Sequence, residues 1–545
     1  MVIRVWQVLL MTTLLASAMA GAGEAQVLAV KTGQVLQRQI DSDVFLQLPV
    51  APGDYVAGRL EISGGSLDAD LLDADGAHVR RIADGRSGVI DFRFVVEPGV
   101  ERLRLMPHQS LSVSVLIDQV VTVEQQRPPE REYLSPRIAR LADELADGRD
   151  SETFWDEMQR RGTPLLESRQ MPEAFYPGST PSLREQHIMT FLWRGAQRNV
   201  RLVGGPTNDH AWLERLGHSD VWYASFVVPA GTRLSYQLAP DVPDVPGNAR
   251  ERRGALLATL QMDPLNRQPW HADAPDRFSQ EATVALPDAP EQPGTPPAAD
   301  ARPRLRSFEF ASKALGNSRQ ITVAQPRDLK PTDPRIVLAL IFDGERAQRE
   351  MQLPALLDTL TREGRLPPVV AVLIPSIDSQ TRSRELPGNQ VFADVLADEL
   401  LPRVLAETGL QANPARTVLA GASFGGLAAA TIALRRPDRF GNLLSMSGSF
   451  WWAPSGVTGD GMPYVANLLV QAEHRPLRLF LSAGTFETAH ADVAGILESS
   501  RQVRDVARIK GYETHWREYA GGHDYLVWRG ALADGLIELF GEPQD

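Results

Sequence analysis

Cysteine is absent from this 545-residue chain. That excludes disulfides, thiolate metal sites and cysteine nucleophiles together, although it identifies no compartment, since an exported protein can do without disulfides. A basic tract is also missing. No region is dominated by Lys and Arg, and a formal net charge of −12 argues against a nucleic-acid partner. After the first residues no run approaches the roughly 18 apolar residues of a membrane span, so none is expected in the mature chain. Nothing resembles a phosphate loop or a zinc motif, and no metal or organic cofactor is expected.

What is present begins with a leader. Met1-Val-Ile-Arg4 is a short basic start, Val5 to Ala16 is mostly apolar, and Ser17-Ala-Met-Ala20-Gly-Ala22 offers small residues at cleavage spacing. Residues 1–22 therefore read as a secretory signal peptide, which places the mature protein in the periplasm or outside the cell. No cysteine follows, so a lipoprotein anchor is excluded. The remaining length exceeds one core, and two to four domains are expected. At 43% hydrophobic and 23% charged residues, the composition is that of a soluble globular protein.

Residues 27–123 read as an all-β accessory domain. Val44–Val50, Tyr55–Ile62, Ser66–Leu72 and Glu101–Leu105 alternate polar and apolar residues, separated by turn chemistry at Ala51-Pro-Gly-Asp54, Ser63-Gly-Gly65 and Asp73-Ala-Asp-Gly76. Short strands at that spacing suggest a β-sandwich. The Leu67–Gly76 segment resembles the pre-peptidase C-terminal type of accessory domain. Its Asp68, Asp70, Asp73 and Asp75 could bind calcium, but such residues are more often turn formers and solvated edge positions. A second mainly β domain is expected over 130–285. It opens with a helix over 135–145, capped by Ser135 with Pro136 in its first turn, and a second helix over 151–161. Strands follow at 187–193, 199–203, 221–228 and 233–238. Residues 286–304 are a Pro-rich linker, extended and unable to build a core.

From 305 to 543 the pattern changes to strand–helix repeats. Ile336–Phe342, Val369–Ile374, Thr417–Ala420, Asn442–Met446 and Leu477–Leu481 are nearly continuous apolar runs, as expected of strands buried on both faces of a parallel sheet. A helix is expected from Phe392 to Leu405. Within this region Thr417-Val-Leu-Ala-Gly421-Ala-Ser423-Phe-Gly425 leads into an Ala/Leu-rich helical run. Strand, sharp turn and helix in that order make a G-x-S-x-G match a nucleophile elbow. Gly421 and Gly425 remove side chains that would collide across the turn. Ser423 would sit at a helix N-terminus, whose dipole favours a developing oxyanion. A base is expected further along the chain, and His523 in Ala520-Gly-Gly-His-Asp524 follows the strand Glu513–Tyr519. Glu487, after the strand ending at Leu481, is the expected acid. Asp492 is the alternative, and a bare Ser–His dyad is a third arrangement. Two oxyanion donors are expected, the N–H of Phe424 and the backbone near Gly344 in the loop after Phe342.

These residues resemble a known family. Phe342-Asp-Gly-Glu345, Arg384-Glu-Leu386 with Asn389, Ala420–Gly426, Pro437–Gly441, Ser445-Met-Ser-Gly-Ser-Phe-Trp-Trp452 and Gly521–Asp524 with Trp528-Arg-Gly530 recur in order in the enterochelin esterases, in the esterase D-like branch of the α/β-hydrolases. The region before the linker is similar to that family's N-terminal domain through Phe154-Trp155, Gly162–Leu166, Ser219-Asp-Val-Trp222, Arg233 with Tyr236, and Asp263-Pro-Leu-Asn266. The resemblance covers about residues 130–543. The leader and the first domain depart from it. It implies an α/β fold, a C-terminal α/β-hydrolase domain preceded by two mainly β domains, and a serine esterase acting on the ester bonds of a small catecholate trilactone siderophore. The alternative is the same fold acting on another exported ester, such as a feruloyl, acyl-sugar or peptide-derived one. A ferric triscatecholate complex is a bulky trianion with aromatic arms. Arg384 and Arg529 with Trp452 and Trp528 are the expected substrate contacts, and Arg382 and Trp451 are further candidates.

Overall fold

An apolar run long enough for one strand but buried on both faces must alternate which layer it feeds. In the strand Val337–Phe342 every residue is buried. Leu338, Leu340 and Phe342 join one core, while Val337, Ala339 and Ile341 join the other. The computed structural model describes residues 27–126, 132–170, 185–207, 211–270, 273–457, 462–489 and 494–541. The leader at 1–22 and the alternative acid Asp492 lie outside these described residues. Among the described residues no helix is long and apolar enough to cross a membrane. The chain divides into two compact units, the second starting at Glu132.

The first unit is a seven-stranded β structure organised on Tyr55–Asp73. The first half of that strand pairs with Leu111–Val121, the second half with Val100–Pro107, and His78–Val95 runs along its other edge. The turn expected at Ser63-Gly-Gly65 is therefore corrected to a register shift inside one continuous strand. Gly64 has φ +83°, and a Cβ on Gly65 would stand 2.8 Å from Gln109 Cγ, so glycine serves a bend here and not a chain reversal. Three of the four hairpin carboxylates have protein partners. Asp68 accepts from Gly85 N–H and faces His108, Asp70 pairs with Arg81 at 2.9 Å, and Asp73 accepts from Ala77 N–H at 2.7 Å.

In the second unit the small β region consists of two four-stranded sheets, built on the central pairs Val221–Pro229 with Glu185–Arg194 and Arg233–Pro240 with Glu281–Ala285. Helices Pro136–Ala146 and Glu152–Arg161 pack on one of them through Ile138, Leu141, Phe154 and Met158. Two motifs here act as braces. Asp220 accepts from Ser151 Oγ, Trp155 Nε1 and Arg194 Nε. Buried Asp263 accepts from Tyr236 Oη at 2.8 Å. The Pro-rich segment has neither helix nor strand until Arg304 opens the first strand of the large sheet, yet it is no loose tether. Gln292 donates to Leu526 C=O, Ala298 N–H donates to Thr359, and Arg302 N–H donates to Asp358.

The large sheet has eight strands. By position in the chain their order is 1-2-4-3-5-6-7-8: Arg304–Ser312, Asn317–Gln325, Val369–Ile374, Val337–Phe342, Thr417–Ala422, Asn442–Met446, Arg478–Gly484 and Glu513–Tyr519. Asn317–Gln325 is antiparallel to both its neighbours and the rest are parallel. Helices Phe424–Arg435 and Ile496–Ile509, among others, cover one face. Leu353–Arg362 and Tyr525–Phe540 cover the other. The long helix at 390–408 contains a π turn over Leu396–Leu400, just before Pro402, whose missing N–H cannot continue the α ladder. This is the α/β-hydrolase arrangement. It sets the carboxyl ends of strands Val337–Phe342, Thr417–Ala422, Asn442–Met446, Arg478–Gly484 and Glu513–Tyr519 along one edge.

Candidate active site

Five loops leave that edge and carry the site. Ser423 follows Ala422 and begins the helix Phe424–Arg435, with φ 59° and ψ −123°. A non-glycine residue in this conformation stores on the order of 1–3 kcal/mol, which the surrounding packing must hold. The turn closes so tightly that a Cβ on Gly421 would stand 2.6–2.9 Å from Gly425 backbone atoms. Gly425 in turn abuts the neighbouring loop, where an added Cβ would lie 3.2 Å from Phe342 Cβ and 3.6 Å from Asp343 Oδ2. Pairing of Ile341 with Ala420 brings these two loops together. Neither Phe424 N–H nor Gly344 N–H has a protein acceptor among the described residues.

The loop carrying Gly344 is itself fixed. Asp343 takes φ 52° at the start of the short helix Gly344–Arg349, and a Cβ on Gly344 would stand 2.5 Å from Ile374 N. Arg382 holds the Asp343 carboxylate with two hydrogen bonds of 2.8 Å, and Ser376 Oγ donates to the same group. Arg382 also lies over the Phe424 ring, its guanidinium carbon 5.6 Å from the centroid.

Glu487 is 1% exposed. Its Oε1 lies 2.5 Å from His523 Nδ1. Its Oε2 accepts from Gly484 N–H at 2.6 Å and from Ser447 Oγ at 2.7 Å. Both oxygens are thus directed, and the imidazole presents its Nε2 away from the carboxylate. The Ser423 hydroxyl turns to Ser449 Oγ at 3.3 Å, not to the imidazole. Serine–histidine bonds are often unmade in unliganded hydrolases and tighten with substrate. An accessible hydroxyl on a strained elbow, an oriented imidazole and two unpaired N–H groups form the set that acyl transfer needs.

Two expected substrate contacts are corrected. Trp528 is 5% exposed, stacks edge-on to His523 at 4.7 Å between ring centroids, and donates Nε1–H to Ser447 Oγ at 3.0 Å. It braces the acid and the base and offers no open face to a ligand. Arg529 bonds Gln292 Oε1 at 2.9 and 2.7 Å and lies over Trp270 at 4.8 Å, so it is engaged at the seam between the helix Tyr525–Phe540 and the small β region. Burial, with Arg233 nearby, pushes its pKa down to about 10. Trp452 is half-buried, its ring against Gly388 and edge-on to Tyr464 at 5.9 Å. Its neighbour Trp451 is 50% exposed and lies 6.1 Å from the Phe424 ring. Arg384 is exposed, with no side-chain hydrogen bond or ion pair among the described residues, on the same short helix, Ser379–Glu385, as Arg382. Ser447 and Ser449 lie in the segment Ser445–Trp452 that carries the family resemblance, but the sequence assigned neither of them a role. Both are buried.

Comparison with known proteins agrees with this architecture. The esterase family model matches residues 312–539, and the model "Enterochelin esterase, N-terminal" matches residues 188–295. The iron(III) enterobactin esterase of Dickeya dadantii (strain 3937) is 34% identical over 71% of this chain and 92% of its own length. That of Escherichia coli (strain K12) is 32% identical over 65% and 92% respectively. The solved ferric enterobactin esterase of Salmonella typhimurium aligns with a TM-score of 0.56 at 31% identity, covering 71% of this chain and 98% of the other. The Shigella flexneri enterobactin esterase, solved in the presence of enterobactin, gives 0.54 at 30% identity over 71% and 98%. The chain belongs to the enterochelin esterase family and is a carboxylic ester hydrolase.

Proposed function

We propose that this chain is an exported serine esterase that hydrolyses the ester bonds of a catecholate trilactone siderophore, taken as its ferric complex. The observation that carries this reading is the Glu487–His523 pair at 2.5 Å beside the Ser423 elbow. It occurs in a chain 34% identical to an iron(III) enterobactin esterase over 92% of that enzyme. Ser423 Oγ leaves Ser449 and attacks the ester carbonyl as its proton passes to His523 Nε2. Glu487 keeps the Nδ1–H in place and stabilises the imidazolium. The carbonyl oxygen, now an oxyanion, accepts from Phe424 N–H and Gly344 N–H. On collapse the ester C–O bond breaks, and His523 returns the proton to the departing seryl oxygen of the substrate. Water then repeats the sequence on the acyl-enzyme and frees Ser423.

Substrate charge and shape favour the same rim. Arg384 is a cation without an ion-pair partner among the described residues, and Trp451 with Phe424 supplies flat apolar surface for an aromatic arm. Incubating the mature protein with ferric and iron-free enterobactin, with products read by mass spectrometry, should give linear and shorter seryl catecholates, faster from the ferric form. Cleavage of a p-nitrophenyl ester without cleavage of either trilactone would move the assignment to another exported ester. Arg384→Ala should lower kcat/KM on the ferric complex about ten- to a hundredfold, the size of one charge-assisted contact of ~1.5–3 kcal/mol, and leave p-nitrophenyl acetate unchanged. Equal losses on both substrates would assign Arg384 to the loop and not to the ligand. For export, the mature N-terminus should follow Ala20 or Ala22. An intact Met1 on a cytoplasmic pool would overturn that part.

A further inference from the structure

The loop that carries His523 is seated on the small β region as well as on its own sheet. Arg233 N–H donates to Ala520 C=O at 2.9 Å, and Ser235 N–H reaches Asp524 Oδ2 at 3.3 Å. Gly521 and Gly522 do not take left-handed φ values, so their glycines serve approach and not a reversal. A Cβ on Gly521 would lie 2.8 Å from Arg233 C=O, and one on Gly522 would lie 3.3 Å from Gly205 C=O. The acid loop docks the same way, since Phe486, the residue before Glu487, packs into the small region's core beside such residues as Leu234 and Tyr236. Asp524 is the hinge of this seat. Its Oδ1 caps the helix Tyr525–Phe540 by accepting from Val527 N–H at 2.9 Å, while its Oδ2 takes the strand of the small region.

We propose that Asp524 is a positioning residue for the esterase reaction, holding His523 against Glu487 only while both of its carboxylate oxygens accept, one from the helix and one from the small β region. This rests on His523 being the base. Protonation leaves the carbonyl oxygen as the one strong acceptor and makes the other oxygen a donor and weak acceptor, so one arm of the seat loosens. The residue is partly exposed, but its carboxyl is withdrawn from water. Burial pushes its pKa up to about 7, with Glu281 on the neighbouring strand adding to the rise and the Val527, Ser235 and Leu526 N–H groups opposing it. His523 and Tyr525 flank it in the chain, and Arg233 on the facing strand turns its guanidinium to Pro290 C=O.

The sign of the pH effect separates positioning from folding. A carboxyl with a raised folded-state pKa binds its proton more tightly folded than unfolded, so it favours stability at low pH and that contribution is lost as pH rises through about 7. Catalysis should run the opposite way, because an ionised Asp524 and a neutral His523 are both required. The acid limb of log kcat/KM should approach a slope of two with p-nitrophenyl acetate as substrate. Asparagine caps helices as well as aspartate but has one accepting oxygen. Asp524→Asn should keep its Tm at pH 8, lower kcat about ten- to a hundredfold with KM little changed, and reduce the limb to a slope of one. Asp524→Ser, able to cap but too short for Ser235, should behave alike. A wild-type slope of one, or full kcat in the asparagine variant, would overturn the proposal while leaving the serine-esterase reading to stand on Ser423. Parallel losses of Tm and kcat would also overturn it, assigning Asp524 to the fold alone.

Discussion

Ser423→Ala should abolish measurable ester hydrolysis, a loss of about 10⁴-fold or more in kcat, with the fold retained. The expectation follows from the elbow. Ser423 supplies the one hydroxyl on the strained turn, while its strain is held by backbone contacts that alanine keeps. Its N–H donates to Met446 C=O at 3.0 Å and its C=O accepts from Ser449 N–H at 3.1 Å. Alanine should therefore unfold at or near the parent temperature. His523→Ala should cost a similar factor, because without a base the hydroxyl stays protonated. The double variant should be little worse than either single, since the two act as one unit. What survives should be the slower turnover supported by binding and the Phe424 and Gly344 N–H groups alone. Additive losses would mean that Ser423 and His523 serve different steps, and near-parental activity in Ser423→Ala would end the serine mechanism. Rates with p-nitrophenyl acetate, alongside thermal unfolding of each variant, decide among these outcomes.

The central strands were readable because burial on both faces leaves no polar position to confuse the period. Val337–Phe342 and Val369–Ile374 are apolar throughout, and every residue in each is buried. At the sheet edge the same chemistry fades. Arg304-Leu-Arg-Ser-Phe-Glu-Phe-Ala-Ser312 buries only Phe310 and Ser312, so its hairpin with Asn317–Gln325 carries no comparable apolar signal. The helix Ala249–Thr259 is harder still, since Ala-Arg-Glu-Arg-Arg-Gly opens it without an apolar stripe. In the first unit the glycine pair at 64–65 carries the residue types of a turn, and only the pairing partners on either side distinguish a bulged strand.

At the candidate site the contrast is sharper. The sequence put Glu487 and His523 on one edge, through strand ends followed by short Gly-containing loops, but left Asp492 and a bare dyad open beside them. The place of Trp528 was not legible. A tryptophan in the first turn of a helix can face ligand or core, and the rotation that decides it is set by Ala531, Leu532 and Leu536 packing into the same core as Trp528. Ser447 stood in the resembling segment Ser445–Trp452 with nothing to indicate its role. Its importance lies in φ 46°, which aims Oγ at Glu487, and in a tryptophan 81 residues away that needs an acceptor.

Glu487→Gln should cost kcat about 10³–10⁴-fold while leaving KM nearly unchanged, an effect second only to loss of the serine or the base. The carboxylate accepts from three groups at once: His523 Nδ1–H, Gly484 N–H and Ser447 O–H. Glutamine has one accepting oxygen and two N–H donors in that space. If the oxygen faces Gly484 and Ser447, the amide N–H₂ meets the imidazole and forces Nδ1 to accept. That moves the ring proton to Nε2, where it blocks proton transfer from Ser423. If the oxygen faces the imidazole instead, the N–H₂ meets Gly484 N–H. A buried donor is then left unsatisfied at about 1–3 kcal/mol. Ser447 cannot absorb the mismatch freely, because its oxygen already accepts from Trp528 Nε1–H. The first arrangement loses rate and the second loses stability, so the two should trade off in this variant. Glu487→Asp keeps three acceptor directions but shortens the reach, and it should fall between the parent and glutamine in kcat. Steady-state kinetics and thermal unfolding of both variants test this. Full activity in Glu487→Gln would show that Ser423 and His523 suffice as a dyad and that the buried carboxylate serves the loop alone.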